Sequence, residues 1–163
     1  MDDATLLQSA KALLARAHAQ GLKLATAESC TGGLIAATLA RVPGASNVLE
    51  RGFVTYSNEA KSELIDVPAD LIARRGAVSM EVALAMAEGA LSRAHAELAV
   101  AVTGIAGPGG GSAEKPVGLV HLAAARKNGP RLHEERRFGD LGREAVQRET
   151  VAAAFALLTR VMA

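Results

Sequence analysis

The chain has 163 residues, half of them hydrophobic, and its 18 Lys and Arg residues nearly balance 17 acidic residues to give a net charge of +1. Such a charge creates no overall field that attracts DNA or an acidic membrane surface, so the composition does not favour binding to nucleic acid or to membranes. The single cysteine excludes an intramolecular disulfide and any cysteine-rich metal site.

The length suits one domain with a substantial core. There is no Trp and there are only one Tyr and three Phe, so Ala, Val, Leu and Ile have to build that core, as is typical of a sheet covered by helices. The first residues lack the basic and apolar regions of a signal peptide, and no apolar run is long enough to span a membrane. We therefore expect a soluble, cytoplasmic protein with a single domain over residues 1–163.

Hydrophobic spacing and turn residues predict an ordered series of helices and strands. Asn58 and Ser79 are candidate N-caps of the third and fifth helices. Residues 127–130 (Lys-Asn-Gly-Pro) separate the last two strands and indicate a hairpin. The predicted helices cover residues 6–18, 32–40, 58–64, 68–73, 80–94 and 143–161, and the predicted strands cover residues 22–27, 48–56, 98–103, 117–125 and 132–138.

The order of these elements predicts the fold class. Helices and strands alternate early in the chain, which indicates parallel strands, and the late hairpin adds an antiparallel pair. The strand at 98–103 is almost entirely apolar and therefore suits a central position that is buried on both faces. We predict a three-layer α/β/α fold with a mixed, mostly parallel sheet.

Ligands of such sheets collect at the carboxyl ends of the strands, and three loops of this chain qualify. The first is the turn at Ser29, which passes from a strand to a helix whose free amides can face an anion or an activated hydroxyl. The second contains Tyr56, and the third is the glycine loop (residues 104–111), which follows Thr103. If the loops meet, Ser29, Tyr56, Lys61 and Thr103 share one site.

Each of these features also has an ordinary structural interpretation. Ser29 can be a helix cap with glycines for close packing, and Lys61 can be a solvated surface residue. The glycine loop matches neither the P-loop nor the dinucleotide-binding pattern, so it can be a mobile surface loop. Functionally, a partly desolvated Lys61 can act as the base for a Ser29 nucleophile, with Tyr56 relaying or donating a proton. Arg143, at the start of the last helix, can bind a ligand phosphate or form a salt bridge.

The four histidines do not have the spacing of a metal site. His18 and His95 lie near predicted helix ends, whereas His121 and His133 lie on predicted strands. No grouping of Ser, His and Asp is visible in the candidate loops, and we expect neither a metal nor an organic cofactor.

Four segments together resemble the CinA C-terminal domain family, the nicotinamide-nucleotide amidohydrolases. They cover nearly the whole chain in the order that the family has. They are Ala27-Glu28-Ser29-Cys30-Thr31-Gly32-Gly33; Gly52-Phe53-Val54-Thr55-Tyr56-Ser57-Asn58 with Lys61; Gly76-Ala77-Val78-Ser79; and Val102-Thr103-Gly104-Ile105-Ala106-Gly107-Pro108 with Lys115-Pro116-Val117-Gly118.

The resemblance implies hydrolysis of the carboxamide of nicotinamide mononucleotide to nicotinic acid mononucleotide and ammonia, as part of pyridine-nucleotide recycling. It implies that Ser29 is the nucleophile and that Tyr56 and Lys61 handle protons, with the base undecided between them. Amides after Ser29 would bind the oxyanion, while Arg143 and the glycine loop would meet the phosphate. The implied substrate-binding residues are Thr31, Gly32, Gly33, Thr103, Gly104, Ala106, Gly107 and Arg143.

The chain departs from the family pattern before its last helix. Gly139-Asp140-Leu141-Gly142-Arg143 carries two more residues than the Gly-Asp-Arg pattern, and Gln147 stands where a second arginine is frequent. The alternative function is a non-catalytic module that binds a nucleotide or a partner and is linked to competence or DNA damage. Ala-rich helices also make a homodimer or a higher homo-oligomer a reasonable expectation.

Overall fold

The structure, a computed structural model, describes residues 1–163. A mixed five-stranded sheet lies between two layers of helices. The helices are α1 (Asp3–Ala19), α2 (Leu34–Ala40), α3 (Asn58–Ile65), α4 (Ala69–Arg75), α5 (Met80–Arg93) and α6 (Arg143–Met162), and the strands are β1 (Leu24–Glu28), β2 (Leu49–Val54), β3 (Leu98–Gly104), β4 (Leu119–Arg126) and β5 (Arg131–Arg137).

The strand order is β2-β1-β3-β4-β5. Strand β1 pairs in parallel with both β2 and β3, whereas β4 pairs antiparallel with β3 and β5. Four of the five strands therefore run in one direction, but only two of the four pairings are parallel. The predicted α/β class, mixed sheet and late hairpin are confirmed. The sheet is mostly parallel in its strand directions but not in its pairings, because the reversed strand β4 makes two antiparallel contacts.

The predicted elements agree with the structure to within a few residues at their ends, and two details differ. The turn-rich break after α2 contains a short 3-10 helix over Ala45–Asn47. Helix α3 is capped by Ser57, whose hydroxyl accepts a hydrogen bond from the Ala60 amide at 3.0 Å, rather than by Asn58. Ser79 caps α5 as predicted, with its hydroxyl accepting from the Val82 amide at 3.2 Å.

The two faces of the sheet are packed with residues of different size. One face presents Leu and Val side chains of β3, such as Val100, to a core of 28 buried residues shared with α1, α2 and α6. The other face presents mainly Ala, such as Ala99 and Ala101, to a core of 13 buried residues shared with α3, α4 and α5. Small residues on this second face let α5 approach the sheet closely. None of the helices combines the length and the apolar character needed to span a membrane.

Candidate active site

The three candidate loops meet at the carboxyl ends of β1, β2 and β3. Backbone hydrogen bonds join them, because the Ser29 amide donates to the Val102 carbonyl at 3.1 Å and the Thr55 amide donates to the Glu28 carbonyl at 2.9 Å. The loops enclose a cavity of about 290 Å³. Its walls are formed by Ser29, Cys30, Tyr56, Asn58, Lys61, Ala77, Val78, Thr103, Gly104, Ile105, Ala106, Gly107, Gly109, Gly110, Gly111 and Arg143.

A buried pair of side chains, Ser29 and Lys61, lies at the floor of the cavity. The Nζ atom of Lys61 donates to Ser29 Oγ at 3.0 Å and to the Thr55 carbonyl at 2.9 Å. Only 1% of Lys61 and 8% of Ser29 is exposed. Burial lowers the pKa of Lys61 from its ordinary value of 10.5, because it penalises the charged ammonium. A lysine with a lowered pKa in contact with a serine hydroxyl can act as its base.

The two glycines after Ser29 are required by backbone conformation. Gly32 has a φ of +60° and Gly33 a φ of +106°, values that side-chain-bearing residues rarely adopt. A Cβ added at Gly32 would meet nothing within 4 Å, and one at Gly33 would meet only Val54 Cγ2 at 3.4 Å. Close backbone packing, which the sequence suggested, is therefore not the main reason for these glycines.

The amides at the start of α2 do not face Ser29. The Glu28 carboxylate accepts hydrogen bonds from the Ile35 amide at 2.8 Å and from the Ala36 amide at 3.0 Å. The N–H groups of Cys30 and Thr31 have no acceptor within the protein. Cys30 lines the cavity, whereas Thr31 does not. An oxyanion donor beside Ser29 is therefore better supplied by the turn itself than by the helix.

Cys30, the residue after Ser29, has a buried thiol in its protonated, unreactive form. Its side chain is 6% exposed, and burial, reinforced by the nearby Glu28 carboxylate, raises the pKa of the thiol to about 12. The thiolate is the reactive form of cysteine, and almost none is present at neutral pH. The nucleophile of this turn is thus better sought at Ser29 than at Cys30.

Arg143 bridges two walls of the cavity. Its Nη1 atom donates to the Gly107 carbonyl at 2.7 Å, and its Nη2 atom donates to the Tyr56 hydroxyl at 2.5 Å. The Tyr56 oxygen accepts this hydrogen bond, so its own proton remains available to a ligand. Arg143 and Lys61 are the basic side chains in the cavity walls, the Arg143 guanidinium keeps its charge, and no carboxylate accompanies them. The cavity consequently favours an anionic ligand.

The glycine loop forms part of the cavity wall. The amides of Ala106, Gly107 and residues 109–111 donate to no protein acceptor, so they are free to bind a ligand. Thr103 also lies in the wall, but its hydroxyl donates to the Ala77 carbonyl at 2.9 Å. A Thr103 hydroxyl used in this way can still accept a hydrogen bond from a ligand.

The structure does not bring every predicted substrate-binding residue to the cavity. Thr103, Gly104, Ala106, Gly107 and Arg143 line it together with the three predicted catalytic residues Ser29, Tyr56 and Lys61, while Thr31, Gly32 and Gly33 lie outside its walls. No cluster of three or more His, Cys, Asp or Glu residues has the geometry to hold a metal ion.

The sequence reasoning did not assign Asn58, Ala77 and Val78 to the site, although all three line the cavity. Sequence features could have assigned them to the site, because Asn58 follows the second candidate loop and Ala77-Val78 belong to one of the segments that resemble the family. The contacts of Glu28 were not predicted either, although an acidic residue that ends an otherwise uncharged, fully buried strand is an unusual feature.

The fold and the site are those of an α/β protein with a buried serine–lysine pair at the carboxyl ends of strands that run in one direction. Comparison with known proteins then gives the family. The sequence model of the CinA C-terminal domain matches residues 6–162, nearly the entire chain. The chain therefore belongs to the CinA family.

Relatives and solved structures agree with this assignment. The chain is 52% identical over 152 residues to a CinA-like protein of Parasynechococcus marenigrum, covering 93% of this chain and 36% of that protein. A CinA-like protein of Akkermansia muciniphila is 59% identical over 119 residues, which cover 73% of this chain and 29% of that protein. The chain thus spans only about a third of the length of these curated relatives.

Two solved structures have the same fold over nearly their whole length. A competence/damage inducible protein from Agrobacterium tumefaciens superposes with a TM-score of 0.96 at 50% identity, covering 100% of this chain and 98% of that one. A competence-damaged protein (CinA) superfamily member from Escherichia coli has a TM-score of 0.91 at 36% identity, covering 98% of this chain and 92% of that one. The fold class predicted from the sequence is thus confirmed.

Proposed function

We propose that this protein hydrolyses the carboxamide of nicotinamide mononucleotide to nicotinic acid mononucleotide and ammonia. The observation that carries the proposal is the 3.0 Å contact between Lys61 Nζ and Ser29 Oγ inside a cavity lined by Arg143 and by free amides. A serine hydroxyl is a weak nucleophile unless a base removes its proton, and a buried lysine is such a base. A module that only binds a nucleotide needs no such pair.

The chemistry proceeds in two stages. Neutral Lys61 takes the proton from Ser29 as Oγ bonds to the amide carbon, and the Cys30 N–H stabilises the oxyanion. The carbon–nitrogen bond then breaks, and the ammonia leaves with a proton from the Lys61 ammonium or from Tyr56. Where Tyr56 has protonated the ammonia, it regains its proton from the Lys61 ammonium, so that Lys61 is neutral again. Lys61 then takes a proton from water as the water oxygen bonds to the acyl carbon. The bond between that carbon and Oγ breaks, Oγ takes the proton from Lys61, and the acid product leaves as a carboxylate after losing its proton to solvent.

The cavity suits the rest of such a substrate. A phosphate monoester is an anion, and the Arg143 guanidinium with the amides of the glycine loop offers the donors that phosphates bind. Arg143 already holds Gly107 and Tyr56, so phosphate binding would use its remaining N–H groups or exchange one of these contacts. The ring-bearing end of the substrate would then lie toward Ser29.

Ammonia release from nicotinamide mononucleotide, in the presence of a chelator, tests the proposal. We expect turnover by the wild-type protein and a loss of about a thousandfold or more in Ser29→Ala, because removing a nucleophile leaves only binding and the oxyanion site. Lys61→Met should lose activity to a similar degree. Calorimetry that finds nucleotide binding while no ammonia forms would contradict the proposal and support the alternative of a binding module.

A further inference from the structure

Glu28 is a buried carboxylate that the proposed chemistry does not use. It is 1% exposed, ends β1, and makes no ion pair. Besides the two amides of α2, it accepts a hydrogen bond from the Thr31 hydroxyl at 2.6 Å. All three partners donate to the carboxylate, which compensates for the loss of water around a buried anion. A strand residue in this position would ordinarily be apolar, so the carboxylate calls for an explanation.

The explanation lies in the link that Glu28 makes between β1 and α2. The N-cap residue of α2 is Gly33, whose φ of +106° excludes a capping side chain. Glu28 caps the helix from the strand instead, and it binds Thr31 on the way. The hydrogen bond between the Glu28 carboxylate and the Thr31 hydroxyl spans the two residues between them, Ser29 and Cys30. The segment that carries the nucleophile is therefore held from the side of β1.

A side chain from another element of the fold also holds this segment. The Nε2 atom of Gln147, on α6, donates to the Cys30 carbonyl at 3.0 Å. The Cys30–Thr31 peptide is planar, so fixing the Cys30 carbonyl also fixes the direction of the Thr31 N–H. Within the turn, the Gly32 amide donates to the Ser29 carbonyl at 3.0 Å and fixes the preceding peptide, which carries the Cys30 N–H.

We infer that Glu28, Thr31 and Gln147 are positioning residues that hold the Ser29–Cys30 segment in the geometry required for attack and for oxyanion binding. This inference rests on the proposed function. None of the three side chains lines the cavity, so none contacts the substrate. Their loss should therefore lower kcat while leaving KM nearly unchanged, since the interaction they support is made in the transition state.

Matched variants of Thr31 test the inference. Thr31→Val has nearly the same shape but no hydroxyl, and it should lower kcat by about tenfold with KM within about twofold, because small displacements of reacting groups are costly. Thr31→Ser retains the hydroxyl and should recover most of the wild-type kcat. Gln147→Met, on α6, removes the hydrogen-bond donor to the Cys30 carbonyl and should lower kcat to a similar degree as Thr31→Val. If Thr31→Val fails to fold, Gln147→Met decides the question.

A second readout separates this inference from the proposed function. The rate at which a sulfonyl fluoride modifies Ser29, followed by mass spectrometry, reports the geometry of the nucleophile without the nucleotide. Slower modification in Thr31→Val than in Thr31→Ser supports the positioning role even when the wild type releases no ammonia, an outcome that would refute only the proposed function. Equal kcat and equal modification rates in the Val, Ser and Met variants would overturn the inference.

Discussion

Among single residues, Lys61 has the surroundings that most clearly indicate a chemical role. It is a lysine on the third helix whose side chain folds back into the protein and ends among acceptors, namely Ser29 Oγ and the carbonyl of Thr55, with longer contacts of 3.4 Å to the carbonyls of Tyr56 and Ser57. A neutral amine can donate to two carbonyls and still accept the Ser29 proton. Burial shifts Lys61 toward this neutral form.

The pH dependence of the reaction follows from that shift. Because the base must be neutral and burial lowers the pKa of Lys61 below 10.5, kcat/KM should rise with pH and level off below pH 10.5. Lys61→Arg should show no such plateau, since a guanidinium keeps its proton throughout. A rise that persists in Lys61→Met but disappears in Tyr56→Phe would identify Tyr56 as the base and contradict this assignment.

At the scale of elements, the close approach of α5 to the end of α3 holds Lys61 in place. A Cβ added at Gly89 of α5 would meet the Ile65 carbonyl oxygen and carbon of α3, which are backbone atoms and cannot rotate away as the end of a flexible side chain could. The absence of a side chain at this one position therefore sets the distance between the two helices. Helix α3 carries Lys61 on its first turns, so its placement depends on this contact.

Gly89→Ala should accordingly destabilise the protein by about 1–3 kcal/mol, the usual cost of overpacking a close-packed contact. Alanine is the better helix former, so intrinsic propensity alone predicts the opposite sign. Urea unfolding measures the change, and the exposed Ser92→Ala on the same helix is the control, for which little change is expected. A stabilised Gly89→Ala protein would contradict the packing argument.

The hairpin of β4 and β5 carries a histidine pair with a consequence for acid stability. His121 Nδ1 and His133 Nε2 lie 2.9 Å apart, and burial lowers the pKa of both rings, although Glu135 and Glu81 favour their charged forms. The folded state therefore binds fewer protons than the unfolded state just below pH 6.5, the ordinary histidine value. Stability should fall as the pH decreases through this range.

Thermal unfolding at a series of pH values between about 8 and 5 measures this effect. His133→Gln should flatten the acid loss, because it removes one titrating ring and leaves His121 with an amide partner. If the unfolding temperature falls equally with decreasing pH in the wild type and in His133→Gln, the histidine pair is not the cause of the loss of stability in acid.

At the scale of the whole molecule, one sheet separates two cores of unequal size. The larger core lies under α1, α2 and α6, and the smaller one lies under α3, α4 and α5. The candidate site draws on both sides, since Lys61 comes from α3 and Arg143 from α6. The single domain predicted for residues 1–163 and the predicted homo-oligomer both stay predictions.

A substitution in each core tests whether the chain unfolds as one unit. Leu157→Ala in the larger core and Met86→Ala in the smaller one should each cost about 2–5 kcal/mol, because both side chains are fully buried. Both should shift the same urea transition, followed by circular dichroism and by fluorescence of Tyr56, the only tyrosine. Separate transitions for the two variants would contradict a single domain.

The sequence by itself determined the elements of this protein and the identity of its chemically useful loops. Hydrophobic spacing and turn residues express free energies that act over a few residues, which is why the helices and strands were found nearly at their true ends. Ser29 and Tyr56 could be selected because each stands at or just beyond the end of a strand, and Lys61 because it lies on the helix that follows Tyr56. Family-like segments then added a substrate to the hypothesis.

Only the tertiary structure decided which groups meet. The Gln147–Cys30 hydrogen bond joins residues 117 positions apart, and the Arg143–Tyr56 contact joins residues 87 positions apart. Such contacts depend on how α6 packs against the sheet, a free energy summed over many side chains that no local pattern records. The same holds for the Glu28 carboxylate, which takes the α2 amides that the sequence had left free for Ser29.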